Sequence, residues 1–213
     1  MLRYGRWQAA WAACMAACIG LTLSAACGWA RSLQDASPSN PGAITLHVDP
    51  AQSTLHWTLG STLHTVHGTF AMKGGSMQFD LADGNASGEF VADATSGKSG
   101  NDGRDRKMHR EILESGRYHE VIFRPEHIEG KVAVQRTSNV QLRGRMLLHG
   151  AEHELTVPVQ TEIDAGHWKG SAKFAVPYVQ WGLKSPNTFL LKADPAVEIE
   201  LELRGTVQGA VAQ

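Results

Sequence analysis

Residues 103–125 read GRDRKMHREILESGRYHEVIFRP and change their hydrophobic period once, from a helical to a strand-like one. Asp105 is placed to accept hydrogen bonds from the first free amides of a helix. Met108 and Ile112 then share one helical face, with Leu113 on its flank. Gly116 can take the left-handed conformation that stops such a helix. After Tyr118 the period becomes two, with Val121 and Phe123 on one side and Ile122 and Arg124 on the other. The spacing predicts a short α-helix over about 105–115 that runs straight into a strand. In a chain made otherwise of strands, one helix serves as a plug or lid over an interior.

The segments on either side are alternating rows punctuated by Gly, Asp, Asn and Pro. Leu55, Trp57 and Leu59 alternate with His56 and Thr58. His64, Val66, Gly68, Phe70 and Met72 alternate with Thr65, His67, Thr69 and Ala71. Gly74-Gly75 reads as a turn into Met77, Phe79 and Leu81, and Asp83-Gly84-Asn85 as a second turn before Phe90. Further on, Val140 to Leu148 and Leu155 to Val159 flank a tight turn at Gly150-Ala151. Trp168, Gly170, Ala172 and Phe174 form another row. The last strand is the clearest, since Val197, Ile199, Leu201 and Leu203 face Glu198, Glu200, Glu202 and Arg204 on the opposite side. One wet and one dry face mark an antiparallel sheet around a single interior. About eight such strands make an all-β closed barrel or a sandwich. Gly68, Gly144, Gly170 and Ala172 on the dry rows either leave room for a cavity or mark strand bends.

Residues 1–30 read as a signal peptide. Arg3 and Arg6 precede an apolar run from Gln8 to Ala26, and Gly28-Trp29-Ala30 offers small residues before a cut at Arg31. An uncleaved anchor and a lipid anchor on Cys27 are the alternatives; the small residues and the polar stretch that follows favour cleavage. Residues 31–43 form a flexible linker, 44–207 the domain and 208–213 a tail. Cys14, Cys18 and Cys27 all lie in the leader, so the mature chain has no disulfide or thiolate metal site. Export places it in the periplasm or outside the cell, with no membrane span once the leader is gone. Removing Arg3 and Arg6 leaves 18 basic against 21 acidic residues, a net charge of −3, which gives no overall field to attract nucleic acid or anionic lipid headgroups.

Ten histidines raise the question of a metal. His64 and His67 fall on opposite faces of a strand, and His149 and His153 flank a turn where they could approach without a third ligand. No metal site and no cofactor is expected. There is no Gly-x-Ser-x-Gly elbow and no cysteine nucleophile, so no catalytic residue is assigned. Asn101 to Asp105 lacks the alternating carboxylates of a calcium loop; turn formation, capping and an ion pair from Arg104 or Arg106 to a neighbouring strand suit it better.

Four segments, in order, resemble the YceI-like family, whose name describes polyisoprenoid or lipid binding in a lipocalin-like barrel. They are Leu63 to Phe70; Gly103 to Asp105 with Met108-His109, Leu113 to Ser115 and Ile122-Phe123; Leu142 to Gly150 with Leu155 to Val159; and Val179 to Pro186 leading into Val197 to Ile199. The resemblance spans about Ile44 to Thr206. Two departures stand out: His119 replaces the usual proline before the strand, loosening that corner, and Lys184-Ser185-Pro186 replaces a shorter turn. The resemblance implies an exported binding or carrier protein, not an enzyme, holding a long apolar lipid such as an isoprenoid or isoprenoid quinone. Its lining candidates are Trp57, Phe70, Phe79, Phe90, Met108, Ile112, Phe123, Met146, Leu148 and Phe174. An enzyme acting on such a lipid, or a structural barrel with a filled core, are the alternatives. A homodimer is left open.

Overall fold

In the computed structural model, which describes residues 43–164 and 166–209, nine strand segments form one sheet that closes on itself. β1 (Ala43–Val48) and β2 (Thr54–Leu59) are two halves of one stave, because both pair with β3 (Val66–Asp80) and β9 (Val197–Gly209). A 3-10 turn at Pro50–Gln52 separates them. Asp49 Oδ1 accepts from the Ala51 amide at 2.9 Å, and Pro50 has no amide hydrogen to give a ladder. From β9 the staves continue through β8 (His167–Val176), β7 (Ala151–Asp164), β6 (Thr137–Leu148), β5 (Glu120–Glu129) and β4 (Ala86–Lys98). β4 then pairs back onto β3. Eight antiparallel staves thus close without an edge, as the alternating rows and the resemblance led one to expect. A barrel of this size can hold either side chains or one small ligand.

β6 shows why the sequence closes this way. Ser138, Val140, Leu142, Gly144, Met146 and Leu148 are buried, while Gln141, Arg143 and Arg145 between them are exposed. Outside, Arg145 bridges to Glu126 at 2.6 Å and Arg124 to Glu152 at 3.0 Å, so the wet face carries cross-strand ion pairs. β3 departs from the expectation. Gly74 and Gly75 do not turn the chain but hold a bulge inside a 15-residue strand, with φ of 132° and 146°. There the buried apolar positions change from Val66 and Met72 to Met77 and Phe79. Two glycines permit either a turn or a bulge, and pairing with β4 on both sides selects the bulge. Leu81, expected in the dry row, lies 45% exposed in the turn after β3.

The crossing from β4 to β5 carries the helix, which begins before Asp105. Asn101 is the cap, its Oδ1 accepting from the Arg104 amide at 3.0 Å, and α1 spans Asp102–Lys107. The Asp105 carboxylate instead accepts from the Ser99 amide at 3.0 Å and from the Ser99 hydroxyl. Met108–Ile112 continue as a π-turn, closed by the Leu113 amide on the Met108 carbonyl at 2.9 Å. The wider turn brings Leu113 to the same side as Met108. Glu114, with φ of 46°, ends the helix, so Gly116 is not the stop. The Ser115 amide reaches back to the His109 carbonyl at 2.9 Å, as in a Schellman closure. Nor is the following corner loose: His119 Nε2 donates to the Gly116 carbonyl at 2.9 Å, and the His119 carbonyl accepts from the Ala94 amide at 2.9 Å. Hydrogen bonds do there what proline would have done through its fixed φ.

The two ends of the barrel differ. At one, Ile44, Leu46, Phe79, Ile128, Ile163 and Trp168 pack into a core, and Trp168 Nε1 donates to the His47 carbonyl at 3.0 Å. The other carries the β2–β3 loop, the helix, the β6–β7 turn and the long loop 177–196. In the β6–β7 turn the corner residues are His149 and Gly150, with φ of 52° and 80°, and Ala151 already belongs to β7. Residues 1–42, on which the expected leader with its three cysteines and most of the expected linker fall, and residues 210–213 lie outside the described residues.

Candidate functional site: an apolar lumen under a helix

Between these ends lies a cavity of about 580 Å³, within the range that takes a lipid chain or drug-sized molecule. All ten residues singled out from the sequence line it. Trp57 and Phe70 share one wall, their ring centroids 6.4 Å apart at 40°. Phe79 and Phe90 stand on β3 and β4, Phe123 on β5, Met146 and Leu148 on β6, and Phe174 on β8. Met108 and Ile112 come from the helix, joined by Leu113. Polar lining is sparse and lies mostly towards the helix end: Ser61 and His64 from the β2–β3 loop, Arg104 and Lys107 from α1, and Thr188 from loop 177–196.

The lumen stays open for a reason the dry-row glycines do not show by themselves. They are not empty space. A Cβ on Gly68 would collide with the Trp57 ring, one on Gly144 with the Phe123 ring and the Arg124 carbonyl, and one on Gly170 would press on Trp168. Each glycine lets a ring lie against the wall, as cross-strand aromatic cover of a glycine does. Ala172 differs, because it borders the cavity itself.

His109 latches the helix to the barrel rim. A carbonyl can only accept, so Nε2 carries the proton and donates to the Gly97 carbonyl at 2.8 Å. Nδ1 then accepts from the Ser115 hydroxyl at 2.9 Å. Arg104 ties the start of the helix, Nε to Ser99 Oγ at 2.7 Å and Nη2 to the Ser99 carbonyl at 2.9 Å. These bonds replace the ion pair expected of it. His109→Ala strands both the nearly buried Ser115 hydroxyl and the Gly97 carbonyl, which costs about 1–3 kcal/mol. Thermal unfolding should register that loss, and amide exchange over 108–118 should quicken selectively; unchanged exchange there would rule out the latch.

Loop 177–196 supplies lining that the sequence rows missed. Tyr178 and Leu183 are buried against Met146 and Leu148, and the Leu183 amide closes onto the Tyr178 carbonyl at 3.0 Å. Tyr178 hydroxyl donates to the Asp194 carbonyl at 2.9 Å, and burial raises its phenol above the ordinary value near 10. No period marks these residues; the signal was the Val179–Pro186 family segment, which contains Leu183 and begins directly after Tyr178. The histidines do other work: His149 sits 4.5 Å from the Tyr118 ring, His153 stacks on Trp181 at 4.3 Å, and His67 bonds to Thr58 Oγ1 at 2.9 Å on the outside. Among the described residues no three His, Cys, Asp or Glu groups come together as metal ligands. His64 reaches the lumen without a carboxylate in the lining, and the neighbouring Ser61 hydroxyl is bonded to the His64 carbonyl at 2.6 Å.

A closed antiparallel barrel with a packed end, an apolar lumen and a helix across the other end defines a lipocalin-like single-lumen architecture. Residues 46–205 match the model of the YceI-like domain, and the chain belongs to that family. Its fold is similar to that of BcnA from Burkholderia cenocepacia, with a TM-score of 0.61 at 16% identity over 75% of this chain and 99% of that one. It is also similar to a polyisoprenoid binding domain from Saccharophagus degradans implicated in plant cell wall breakdown. There the TM-score is 0.57 at 14% identity, over 78% and 98% of the two chains. No curated protein matches.

Proposed function

We propose that this protein is an exported binder or carrier that holds the apolar tail of an isoprenoid or isoprenoid quinone in the barrel. The supporting observation is the lumen: about 580 Å³, open, and lined almost wholly by hydrocarbon and aromatic side chains. Each Å² of apolar tail buried there contributes about 25 cal/mol, so a chain of several units binds without a specific polar partner. Selectivity then follows thinness and length, while the head group stays by Ser61, His64, Arg104 and Lys107 at the helix end. The family membership and the binding description carried by the Saccharophagus relative point the same way. A filled structural core does not suit an open lumen. Among the described residues no helix is long and apolar enough to cross a membrane. Native mass spectrometry with organic extraction tests the reading. One prenyl lipid per chain is expected; a protein that carries no lipid and fails to take up a prenyl chain would end it.

A further inference from the structure

The helix-capped end of the barrel exposes large apolar side chains at one place. Phe189 is 98% exposed, Leu190 77% and Leu63 67%. The backbone holds them there. The Thr188 amide donates to the Leu191 carbonyl at 3.0 Å and Thr188 Oγ1 accepts from the Leu191 amide at 3.1 Å, leaving Phe189 and Leu190 as the corners of a closed turn. Turn corners ordinarily carry Gly, Asn, Asp or Pro. The β2–β3 loop is tied to the same element by the Ser61–Ala193 bridge and by the Thr62 amide on the Lys192 carbonyl at 2.9 Å, which sets Leu63 beside it.

The same loop and the lumen lining also carry cations. Lys184 and Lys192 lie in the same loop and Lys107 in the lumen lining, and none of the three forms an ion pair among the described residues. Pro186, Thr188 and Leu191, flanking the tip, also line the lumen, so the tip adjoins its mouth. We propose that Leu63, Phe189 and Leu190 insert into the surface of an anionic lipid bilayer, seating the mouth of the barrel on the membrane. Aromatic and aliphatic side chains enter the headgroup boundary while flanking lysines meet anionic headgroups. Three side chains fall well short of the roughly 800 Å² per partner of a stable protein interface, which weighs against a second copy as the occupant. The inference goes beyond lipid carriage and does not need a filled lumen.

Co-sedimentation of the full chain with phosphatidylcholine vesicles containing phosphatidylglycerol tests it, with Phe189→Asp/Leu190→Asp as the variant. Both side chains are exposed, so the variant should melt with the wild type and keep any extractable lipid. Its vesicle affinity should fall about tenfold or more, while Val179→Asp, elsewhere in the loop, binds as before. Phosphatidylcholine alone should bind more weakly, and added salt should weaken the anionic case. Equal binding by wild type and double variant would overturn the proposal. So would a concentration-dependent dimer in sedimentation velocity that the variant alone lacks, without any change at vesicles. Loss of lipid carriage with vesicle binding intact would strike only the earlier reading.

Discussion

Ala172→Phe should empty the barrel of lipid and leave the fold standing. Ala172 lies on β8 directly between Val159 of β7 and Leu201 of β9, and its methyl borders the cavity. A benzyl group there projects into apolar space, with no polar partner to strand. It displaces roughly three or four methylenes of a bound chain, each worth about 0.8 kcal/mol, so affinity should drop about a hundredfold. The same ring buries its own apolar surface, and the melting temperature of the lipid-free protein should hold or rise. Extracted lipid per mole of protein, measured beside thermal unfolding, checks both halves. Undiminished lipid in a folded variant would place the ligand outside the lumen.

Gly205→Ala should do the opposite, weakening the fold by attacking the seam. Gly205 on β9 pairs with Val48 on one side and Trp168 on the other. An added methyl would overlap the His47 carbonyl oxygen and press on Trp168 Nε1, which donates to that same oxygen at 3.0 Å. Backbone stands in the way, so β1 must shift. Overpacking together with a damaged hydrogen bond costs about 3 kcal/mol. In a domain of this size that is roughly 6–12 °C in melting temperature. Gly116→Ala is the control, because nothing lies within 4 Å of its Cβ and its φ is not left-handed. It should stay within about 0.5 kcal/mol of wild type. Equal losses at the two positions would refute the seam as the cause.

The lining residues and the barrel they form were legible because inward and outward positions alternate along the staves between their bulges. Trp57, Phe70, Met146 and Phe174 needed only their parity. The helix was legible as an element but not at its ends. Asp105 and Asn101 are both good caps, and the choice fell to Asn101 because Ser99 engages the Asp105 carboxylate. The end at Glu114 carries no sequence signal, since a left-handed glutamate is held there by the Ser115 amide on the His109 carbonyl. Gly74-Gly75 was ambiguous for a related reason: only pairing on both sides separates a bulge from a turn.

Within each unbroken run of strand the sequence by itself determined which side chains face inward, because successive Cβ atoms on a strand point to opposite faces whatever the neighbours are. It also determined that one helix would interrupt the strands on the β4–β5 crossing. Whether the inward face encloses space was decided by tertiary structure alone. That outcome depends on Gly68 lying opposite Trp57 and on Gly144 making room for Phe123, contacts across neighbouring strands that parity along one strand does not specify. Loop 177–196 depends on the fold in the same way: Tyr178 and Leu183 become lining only when Met146 and Leu148 are brought beneath them.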